Sequence, residues 1–206
     1  MNSDQKIEII KKWLGTGSIN IFGRPFAGKD THGRELVALF NGTLLGGGDI
    51  LRNSDVPEHI KETIRAGKLA PTDEYIKIVL PYLSQDEFKN TPLILSSVGR
   101  WHGEEEGVLS AAEKSNHPVK AVLYLELDEA GVRERWRQTS GLGERGERHD
   151  DTAEVLEIRL KEYREKTLPV IEYYREKDLL IVIDSSLAKH VVLDNIIDEL
   201  YKFATR

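Results

Sequence analysis

The 206-residue sequence contains no cysteine. That absence excludes a disulfide-stabilised fold, a thiolate nucleophile, and zinc or iron–sulfur sites built on cysteine. Long apolar runs are also lacking, since no stretch approaches the roughly 18 uninterrupted apolar residues of a membrane-spanning helix. The first residues have no apolar core followed by a small-residue cleavage site. We therefore expect a cytoplasmic protein without a membrane partner.

Positive charge is scarce as well. The chain has 29 Lys and Arg against 35 Asp and Glu, which gives a formal net charge of −6. Because long nucleic acids are held largely by cationic surfaces, we expect no nucleic-acid partner. The content of 39% hydrophobic and 31% charged residues is typical of a folded globular protein. The length fits a single domain, and we expect a monomer.

Short runs rich in Ile, Val and Leu alternate with longer segments of helical periodicity. The runs are Ser18–Phe22, Thr43–Leu45, Pro92–Val98, Val119–Leu127 and Leu179–Asp184. They lack strict alternation of apolar and polar residues, which is typical of strands buried on both faces. Strands separated by helices connect through right-handed crossovers. The pattern predicts an α/β protein in which helices flank a five-stranded parallel sheet in three layers.

The predicted helices carry start and stop signals. Pro57 and Gly67 fit the beginning and the C-cap of one helix. Asp151–Glu154 has capping-box spacing at the head of a long amphipathic stretch, which we expect to bend at Pro169. Asp151 caps this helix, or Asp150 and Asp151 bind a ligand or hinge the preceding segment by salt bridges, and these roles are compatible.

Two segments lie outside this alternation. Asp4–Leu14 forms a predicted helix ahead of the first strand, and its apolar face either packs on the sheet edge or contacts a partner. Gln138–Asp150 contains three glycines and almost no apolar residues. Because it cannot contribute much to a core, we expect an exposed loop or a small lid there.

The first strand leads directly into a glycine-rich segment, GRPFAGKDT, at Gly23–Thr31. Gly23, Gly28 and Lys29 match the first seven positions of GxxxxGK followed by Ser or Thr, with Asp30 in the eighth position. In such a loop, backbone amides and a helix N-terminus bind phosphate oxygens, and the lysine adds a mobile cation. The sequence therefore predicts a nucleotide phosphate site.

Six segments, in order along the chain, carry motifs that resemble those of the adenylate kinase family of nucleoside monophosphate kinases. They are GRPFAGKDT at Gly23–Thr31, GGDILR at Gly47–Arg52, GKLAPTDE at Gly67–Glu74, SSVGR at Ser96–Arg100, ERHDD at Glu147–Asp151 and TLPVIEYY at Thr167–Tyr174. The resemblance extends from Ile19 to about Leu200. It implies a P-loop NTPase fold of one domain, residues 1–206, with its core at 1–46, 90–136 and 152–206, a monophosphate-binding segment at 47–89 and a short lid at 137–151.

The resemblance implies reversible transfer of the γ-phosphoryl group of ATP to a nucleoside monophosphate, with ATP and Mg²⁺ as cofactors. We expect AMP as the acceptor, with GMP and then a pyrimidine monophosphate as alternatives. A different class of function also stays open, namely a nucleotide-binding switch or pseudoenzyme without turnover. A kinase of another small acceptor fits less well, because GGDILR and TLPVIEYY belong to the monophosphate-binding type.

The resemblance also assigns roles to individual residues. Those implied to bind ATP are Gly23, Pro25, Ala27, Gly28, Lys29, Asp30, Thr31 and Arg135. Those implied to bind the acceptor are Gly47, Asp49, Arg52, Arg100, Glu104, Arg148 and Arg159. The implied catalytic set is Lys29, Arg100, Arg135, Arg148 and Arg159. Guanidinium groups suit this chemistry because they pair with phosphate oxygens bidentately; Arg137 is the alternative to Arg135 at the first lid hinge.

Two departures from the family pattern concern the phosphate loop. Phe26 replaces a loop glycine, so it is strained if the position requires φ > 0, or its side chain points outward. Ser96 stands where the family has an aspartate on the magnesium side, while Asp30 follows Lys29. We hypothesise that the magnesium-side carboxylate has moved to Asp30. The alternative is that Asp30 pairs with Lys29 or stabilises the helix N-terminus.

A third departure concerns the acceptor base. Glu104 aligns with the family's base-reading glutamine, and Glu105 is one residue away. An ionised carboxylate only accepts hydrogen bonds, so it suits the donor pair of guanine better than the donor and acceptor of adenine. A solvated helix start is the alternative interpretation of this acidic run.

Overall fold

A computed structural model describes residues 2–47, 57–66, 83, 85–140 and 152–206. Within them, five strands form one parallel sheet: β1 (Ser18–Gly23), β2 (Thr43–Gly46), β3 (Leu93–Ser96), β4 (Val119–Glu126) and β5 (Leu180–Asp184). Their order across the sheet is β2-β3-β1-β4-β5. The predicted five-stranded parallel sheet is confirmed, and β1 lies in its middle between β3 and β4.

Helices cover the sheet. They are α1 (Ser3–Leu14), α2 (Lys29–Phe40), α3 (Glu58–Arg65), α4 (Glu105–Lys114), α5 (Glu129–Ser140), α6 (Ala153–Glu162), α7 (Leu168–Glu176) and α8 (Lys189–Ala204). A 3₁₀ turn spans Asp86–Phe88, and a π-helix spans Tyr163–Thr167. No helix in the described part of the chain is long and apolar enough to cross a membrane.

The central strand is buried along its whole length. Ile19 and Ile21 belong to the largest apolar cluster, which includes residues of α1, α2 and α8, whereas Phe22 belongs to a second cluster with Tyr174 of α7. Successive side chains of a strand point to opposite faces of a sheet. Helices therefore pack on both faces, as the apolar composition of the run predicts.

The N-terminal helix packs within the molecule. Ile10 and Leu14 of α1 are buried in the largest cluster, and the Trp13 ring meets Phe203 edge-on at 6.1 Å between centroids. Lys6 Nζ lies 2.6 Å from Asp198 Oδ1 on α8. The helix therefore packs within the molecule, and its ring contact and ion pair are with α8, where the sequence suggested the sheet edge.

The helix after the predicted lid begins one residue later than its capping motif suggests. Thr152 is the N-cap, and its hydroxyl accepts a hydrogen bond from the Val155 amide at 3.3 Å. The prediction that Asp151 caps this helix is wrong, because the hydroxyl of Thr152 already occupies that role. Asp150, Asp151 and the predicted C-cap Gly67 lie outside the described residues.

Two other boundaries differ from the sequence expectations. Helix α5 continues to Ser140, so the first residues of the predicted loop Gln138–Asp150 are helical. The predicted irregularity near Pro169 is the π-helix Tyr163–Thr167, and it precedes the proline. Pro169 itself lies in the first turn of α7, which follows the π-helix without a break.

Candidate active site

The carboxyl ends of the parallel strands form one edge of the sheet, and two loops on that edge carry the residues singled out by the sequence. The phosphate loop, residues 24–28, joins β1 to α2, and the β3 loop, residues 97–104, joins β3 to α4. Because β1 and β3 are paired neighbours, the two loops start side by side. Ligands in open α/β sheets bind at such an edge.

Glycines make the phosphate loop possible. A Cβ at Gly23 would lie 2.8 Å from the carbonyl oxygen of Leu125, so no side chain fits there. Gly28 has φ +94° and is the N-cap of α2, which begins at Lys29. A left-handed residue at this point turns the chain directly into the helix, whose amides then face the loop.

Lys29 closes the phosphate loop from the helix side. Its Nζ donates to the carbonyl oxygens of Gly23 at 2.8 Å and Arg24 at 2.9 Å. The ammonium group is thereby held beside the first residues of the loop, where its positive charge can attract phosphate oxygens.

Arg135 holds the other side of the loop. From α5 its guanidinium donates to the carbonyl oxygen of Phe26 at 3.1 Å and to the carbonyl oxygen of Ser185, which follows β5. Partial burial lowers the pKa of this guanidinium from its ordinary value. Arg137 is exposed and pairs with Glu134. The structure thus brings Arg135 to the loop, and its role there stays a prediction.

The structure shows how Phe26 fits at a loop position where the family has glycine. Its φ is +64°, so the position does require left-handed backbone. The expectation of an outward side chain is wrong, because Phe26 is only 7% exposed and belongs to the largest apolar cluster. Left-handed backbone costs about 1–2 kcal/mol for a residue with a Cβ. Burial of a phenylalanine contributes about 1.5–3 kcal/mol, which offsets that cost.

Asp30, in the first turn of α2, and Ser96, at the end of β3, are in contact. The Ser96 hydroxyl, at the end of β3, donates to Asp30 Oδ1 over 3.1 Å. The two positions that depart from the family pattern on the magnesium side are therefore in contact. Asp30 also lies in the first turn of α2, where the helix dipole favours an anion. In the described part of the chain, no three His, Asp or Glu side chains cluster as a metal site.

Left-handed residues bend the β3 loop back toward β1. Ser97 has φ +53° and Gly99 has φ +71°. A Cβ at Gly99 would lie 2.4 Å from Val108 Cγ2, so glycine is required. Asn20 of β1 holds the turn from beside it, with its Nδ2 donating to the carbonyl oxygen of Val98 at 2.7 Å and its Oδ1 accepting from the Val98 amide at 3.3 Å.

Two buried glutamates hold the end of the β3 loop. Glu104 is 2% exposed, and its Oε2 accepts from the Trp101 amide at 3.1 Å. Glu105, also buried, accepts from the Gly103 amide at 2.7 Å and lies 2.8 Å from His102 Nδ1. Burial raises the pKa of the Glu104 carboxyl to about 7, although the Trp101 amide and Arg100 favour the charged form.

The π-helix forms hydrogen bonds with the same loop. Thr167 Oγ1 donates to the carbonyl oxygen of Arg100 at 2.9 Å, and the carbonyl oxygen of Lys166 accepts from the His102 amide at 3.1 Å. Lys166 Nζ also lies 4.1 Å from the centroid of the Trp101 ring. A single π-turn inside a helix often marks a functional position. Here it fixes the backbone from which the Arg100 side chain extends.

The sequence model of the adenylate kinase family matches residues 21–179. The chain belongs to the adenylate kinase family. This membership confirms the predicted P-loop fold and the predicted class of enzyme, a nucleoside monophosphate kinase, and it covers both loops of the site.

Individual relatives agree with the family match. An adenylate kinase from Nitrobacter winogradskyi is 33% identical over 177 residues, covering 82% of this chain and 85% of the relative. One from Methanosarcina mazei is 28% identical and covers 91% of this chain and all of the relative. One from Schistosoma mansoni is 29% identical and covers 91% of this chain and 94% of the relative.

The structure describes some of the remaining residues that the family resemblance assigns. Gly47 is buried directly after β2, and Arg159 is half-buried on α6. Pro25 and Ala27 lie within the phosphate loop, and Thr31 is exposed in the first turn of α2. The assigned residues that lie outside the described part of the chain are Asp49, Arg52 and Arg148.

Sequence reasoning missed three polar groups that hold the site together. Ser185, Thr167 and Asn20 each bond a carbonyl oxygen of one of the two loops. Thr167 lies inside the TLPVIEYY motif and Ser185 directly follows the last strand, so their positions carried a weak signal. Nothing in their local sequence indicates which distant carbonyl each one reaches.

Proposed function

We propose that this enzyme transfers the γ-phosphoryl group of ATP to AMP and forms two molecules of ADP. The observation that carries the proposal is the phosphate loop, whose carbonyl oxygens are held by Lys29 and Arg135 in a chain of the adenylate kinase family. The loop thus combines two cationic side chains with a helix N-terminus, a set of groups that suits a triphosphate.

The reaction needs positioning more than proton transfer. An oxygen of the AMP phosphate attacks the γ-phosphorus, the bond from that phosphorus to the β–γ bridging oxygen breaks, and its electron pair stays on the departing ADP. Because the attacking phosphate is already an anion, no general base is required. In this proposal Lys29 and Arg135 bind the ATP phosphates, and Gly23, Pro25, Ala27, Gly28 and Thr31 complete the loop.

The acceptor side uses side-chain cations. The β3 loop supplies Arg100, whose carbonyl oxygen is fixed by Thr167. We assign the AMP phosphate and the moving phosphoryl group to a set of arginines with two supporting residues, namely Arg52, Arg100, Arg148, Arg159, Gly47 and Asp49. Their roles rest on the family motifs. Guanidinium forks on opposite sides of a phosphoryl group neutralise the charge that spreads over its oxygens.

Asp30 and Ser96 fit a place beside a bound Mg²⁺. Magnesium prefers one or two carboxylates together with water and phosphate oxygens, and a carboxylate with an adjacent hydroxyl is a donor set of that kind. Mg²⁺, when bound, neutralises charge on the phosphate oxygens. Asp30 would hold the ion, and Ser96 would orient Asp30 through its hydrogen bond.

The Mg²⁺ assignment predicts the effect of removing one charge. Asp30→Asn is expected to lower the Mg²⁺-dependent rate by at least about tenfold, or about 1.4 kcal/mol. It is also expected to weaken the gain in ATP affinity that Mg²⁺ gives in calorimetric titrations. The exposed Asp194→Asn on α8 serves as the charge control. Unchanged Mg²⁺ dependence of both rate and binding in Asp30→Asn would contradict the assignment.

Glu104 supports AMP through its protonated form. A neutral carboxylic acid has one donor and one acceptor, which match the adenine N1 acceptor and N6 donor, whereas the carboxylate only accepts. Because burial raises the pKa of Glu104 to about 7, the protonated form is populated at neutral pH. The ionised form suits guanine, which keeps GMP as the second acceptor to test.

A panel of acceptors tests the proposed reaction. Diphosphate formation from ATP and Mg²⁺ is measured with AMP, GMP, CMP, UMP and dTMP at equal concentrations. We expect the largest kcat/KM with AMP. Tight nucleotide binding without diphosphate from any acceptor would establish the switch or pseudoenzyme instead. The monomeric state and the cytoplasmic location stay predictions, the first of which light scattering can test.

A further inference from the structure

Ser185 lies where three parts of the active-site edge converge. It directly follows β5 and is fully buried at 0% exposure. Its hydroxyl donates to the carbonyl oxygen of Ala27 in the phosphate loop at 2.6 Å, and its amide donates to the carbonyl oxygen of Glu126 at the end of β4 at 2.8 Å. Its own carbonyl oxygen accepts from the guanidinium of Arg135.

We propose that Ser185 is a positioning residue for ATP, which fixes both a peptide of the phosphate loop and the guanidinium of Arg135. The inference rests on the proposed function, because it takes the loop and Arg135 as the ATP side of the reaction. Ser185 itself touches neither ATP nor the reacting atoms in this scheme.

The hydrogen bond to Ala27 sets the direction of a peptide plane. In a trans peptide the C=O and the following N–H point in opposite directions. With the carbonyl of Ala27 turned toward Ser185, the amide of Gly28 points to the other side. Gly28 has φ +94° and no side chain to restrict rotation, so the hydroxyl supplies a restraint that the glycine cannot.

Arg135 depends on the same residue. Its guanidinium bridges the carbonyl oxygens of Phe26 and Ser185, and its Nη1 lies 3.5 Å from the Ser185 hydroxyl. The successive carbonyl oxygens of Phe26 and Ala27 thus accept from the neighbouring donors of Arg135 and Ser185. Loss of the hydroxyl leaves the carbonyl of Ala27 buried without that donor and loosens the surroundings of Arg135 at the same time.

A purely structural role is the competing explanation, and the fold contains a matched control for it. Ser18 is also 0% exposed, and its hydroxyl also donates to a backbone carbonyl oxygen, that of His117, at 2.9 Å. It begins β1, at the edge of the sheet opposite the phosphate loop. A merely structural hydrogen bond predicts equal consequences for the two serines.

The experiment compares Ser185→Ala with Ser18→Ala in the full chain. Urea unfolding gives the stability of each variant, steady-state kinetics give kcat and the two KM values, and calorimetry gives the Kd of a non-hydrolysable ATP analogue. We expect similar losses of stability. Only Ser185→Ala should raise the KM and Kd on the ATP side, by about five- to twentyfold, with the KM for AMP within twofold of wild type. Ser185→Cys, with a weak donor of similar size, should shift in the same direction.

Other outcomes of the same measurements would overturn the positioning role of Ser185. Equal ATP KM and Kd in the two alanine variants, or equal changes in the KM for ATP and AMP in Ser185→Ala, would overturn the inference. If Ser185→Ala does not fold, Ser185→Cys with wild-type ATP affinity overturns it as well. Wild-type protein that binds the ATP analogue but produces no ADP would contradict the proposed function alone, since the Kd comparison still tests Ser185.

Discussion

The loops that follow β1 and β3 lie on one edge of the sheet, yet side chains hold them in different ways. In the phosphate loop, the donors of Lys29, Arg135 and Ser185 bind carbonyl oxygens. In the β3 loop, two side-chain donors also bind carbonyl oxygens, but the carboxylates of Glu104 and Glu105 bind two amides in addition. These side chains donate to the phosphate loop, whereas those that hold the β3 loop also occupy two peptide N–H groups.

This difference explains which chemical groups each loop can offer to an anion. A loop held by its carbonyls presents backbone amides and two cationic side chains, so it binds phosphate mainly through its main chain. In the β3 loop, buried carboxylates occupy two of the amides, so we expect its anion contact to come from the side chain of Arg100. The comparison predicts that damage to one loop affects ATP and damage to the other affects AMP.

The largest expected effect comes from removing the cation of the phosphate loop. Lys29→Met deletes the donor to two carbonyl oxygens and the positive charge together. We expect kcat to fall by about 10²–10³-fold, the usual effect of losing one preorganised donor to a transition state. Lys114→Met, an exposed lysine at the end of α4, is the control. A kcat within threefold of wild type in Lys29→Met would contradict the assignment of the phosphate loop to ATP.

The next effect concerns the charge buried under the β3 loop. The pKa of Glu104 is raised from 4.5 to about 7, so the folded protein holds this proton more tightly than the unfolded chain. Between these two pH values only the folded state keeps the proton, and stability therefore falls as pH rises. The fall amounts to about 3 kcal/mol at about 1.4 kcal/mol per pKa unit.

Glu104→Gln tests that sign, because the amide oxygen can still accept from Trp101 while the charge is gone. We expect the variant to be more stable than wild type at pH 8 and close to it at pH 5, measured by urea unfolding. The KM for AMP of wild type should also rise above pH 7, and that of the variant should not. Parallel pH profiles in the two proteins would contradict the assigned ionisation.

A smaller effect separates Phe26 and Ser97, the left-handed residues of the two loops that are not glycine. Phe26→Gly relieves about 1–2 kcal/mol of backbone strain but loses a buried phenylalanine worth about 3–5 kcal/mol, so the free energy of unfolding should fall by about 2 kcal/mol. Ser97→Gly loses little packing, and the gain in unfolded-state entropy offsets the relieved strain. We expect it within about 1 kcal/mol of wild type. Equal destabilisation of both variants would show that burial of Phe26 contributes nothing.

The sequence predicted the sheet well because its signals are local. Each apolar run falls within two residues of an observed strand at either end, as for Pro92–Val98 against β3 at Leu93–Ser96. The phosphate loop could be predicted equally well from the sequence, because two glycines and a lysine at fixed spacing dictate the turn. Phe26 shows the limit: its left-handed backbone follows from the motif, but its buried side chain depends on α2, α5 and α8 packing around it.

Contacts between distant segments could not be predicted. Asp30 and Ser96 are 66 positions apart, and only the pairing of β1 with β3 brings them to 3.1 Å. Ser185 and Ala27 are 158 positions apart. Hydroxyl groups bond any carbonyl within reach, so their partners follow from the tertiary structure and not from the residues beside them. For the same reason, the hydrogen bonds between the π-helix and the β3 loop could not be predicted. The only local indication in the sequence is the proline that follows the π-helix.

The smallest predicted effect completes the comparison on the AMP side. Thr167→Val keeps the shape of the side chain and removes the hydroxyl that donates to the carbonyl oxygen of Arg100. Loss of one such bond is worth about 1 kcal/mol, so we expect the KM for AMP to rise about fivefold while the KM for ATP stays within twofold. Thr167→Ser, which retains the hydroxyl, should behave as wild type. Because Ser185→Ala is expected to do the reverse, steady-state kinetics on the two variants form a crossed test. Should both variants raise the same KM, the two loops would not serve separate substrates.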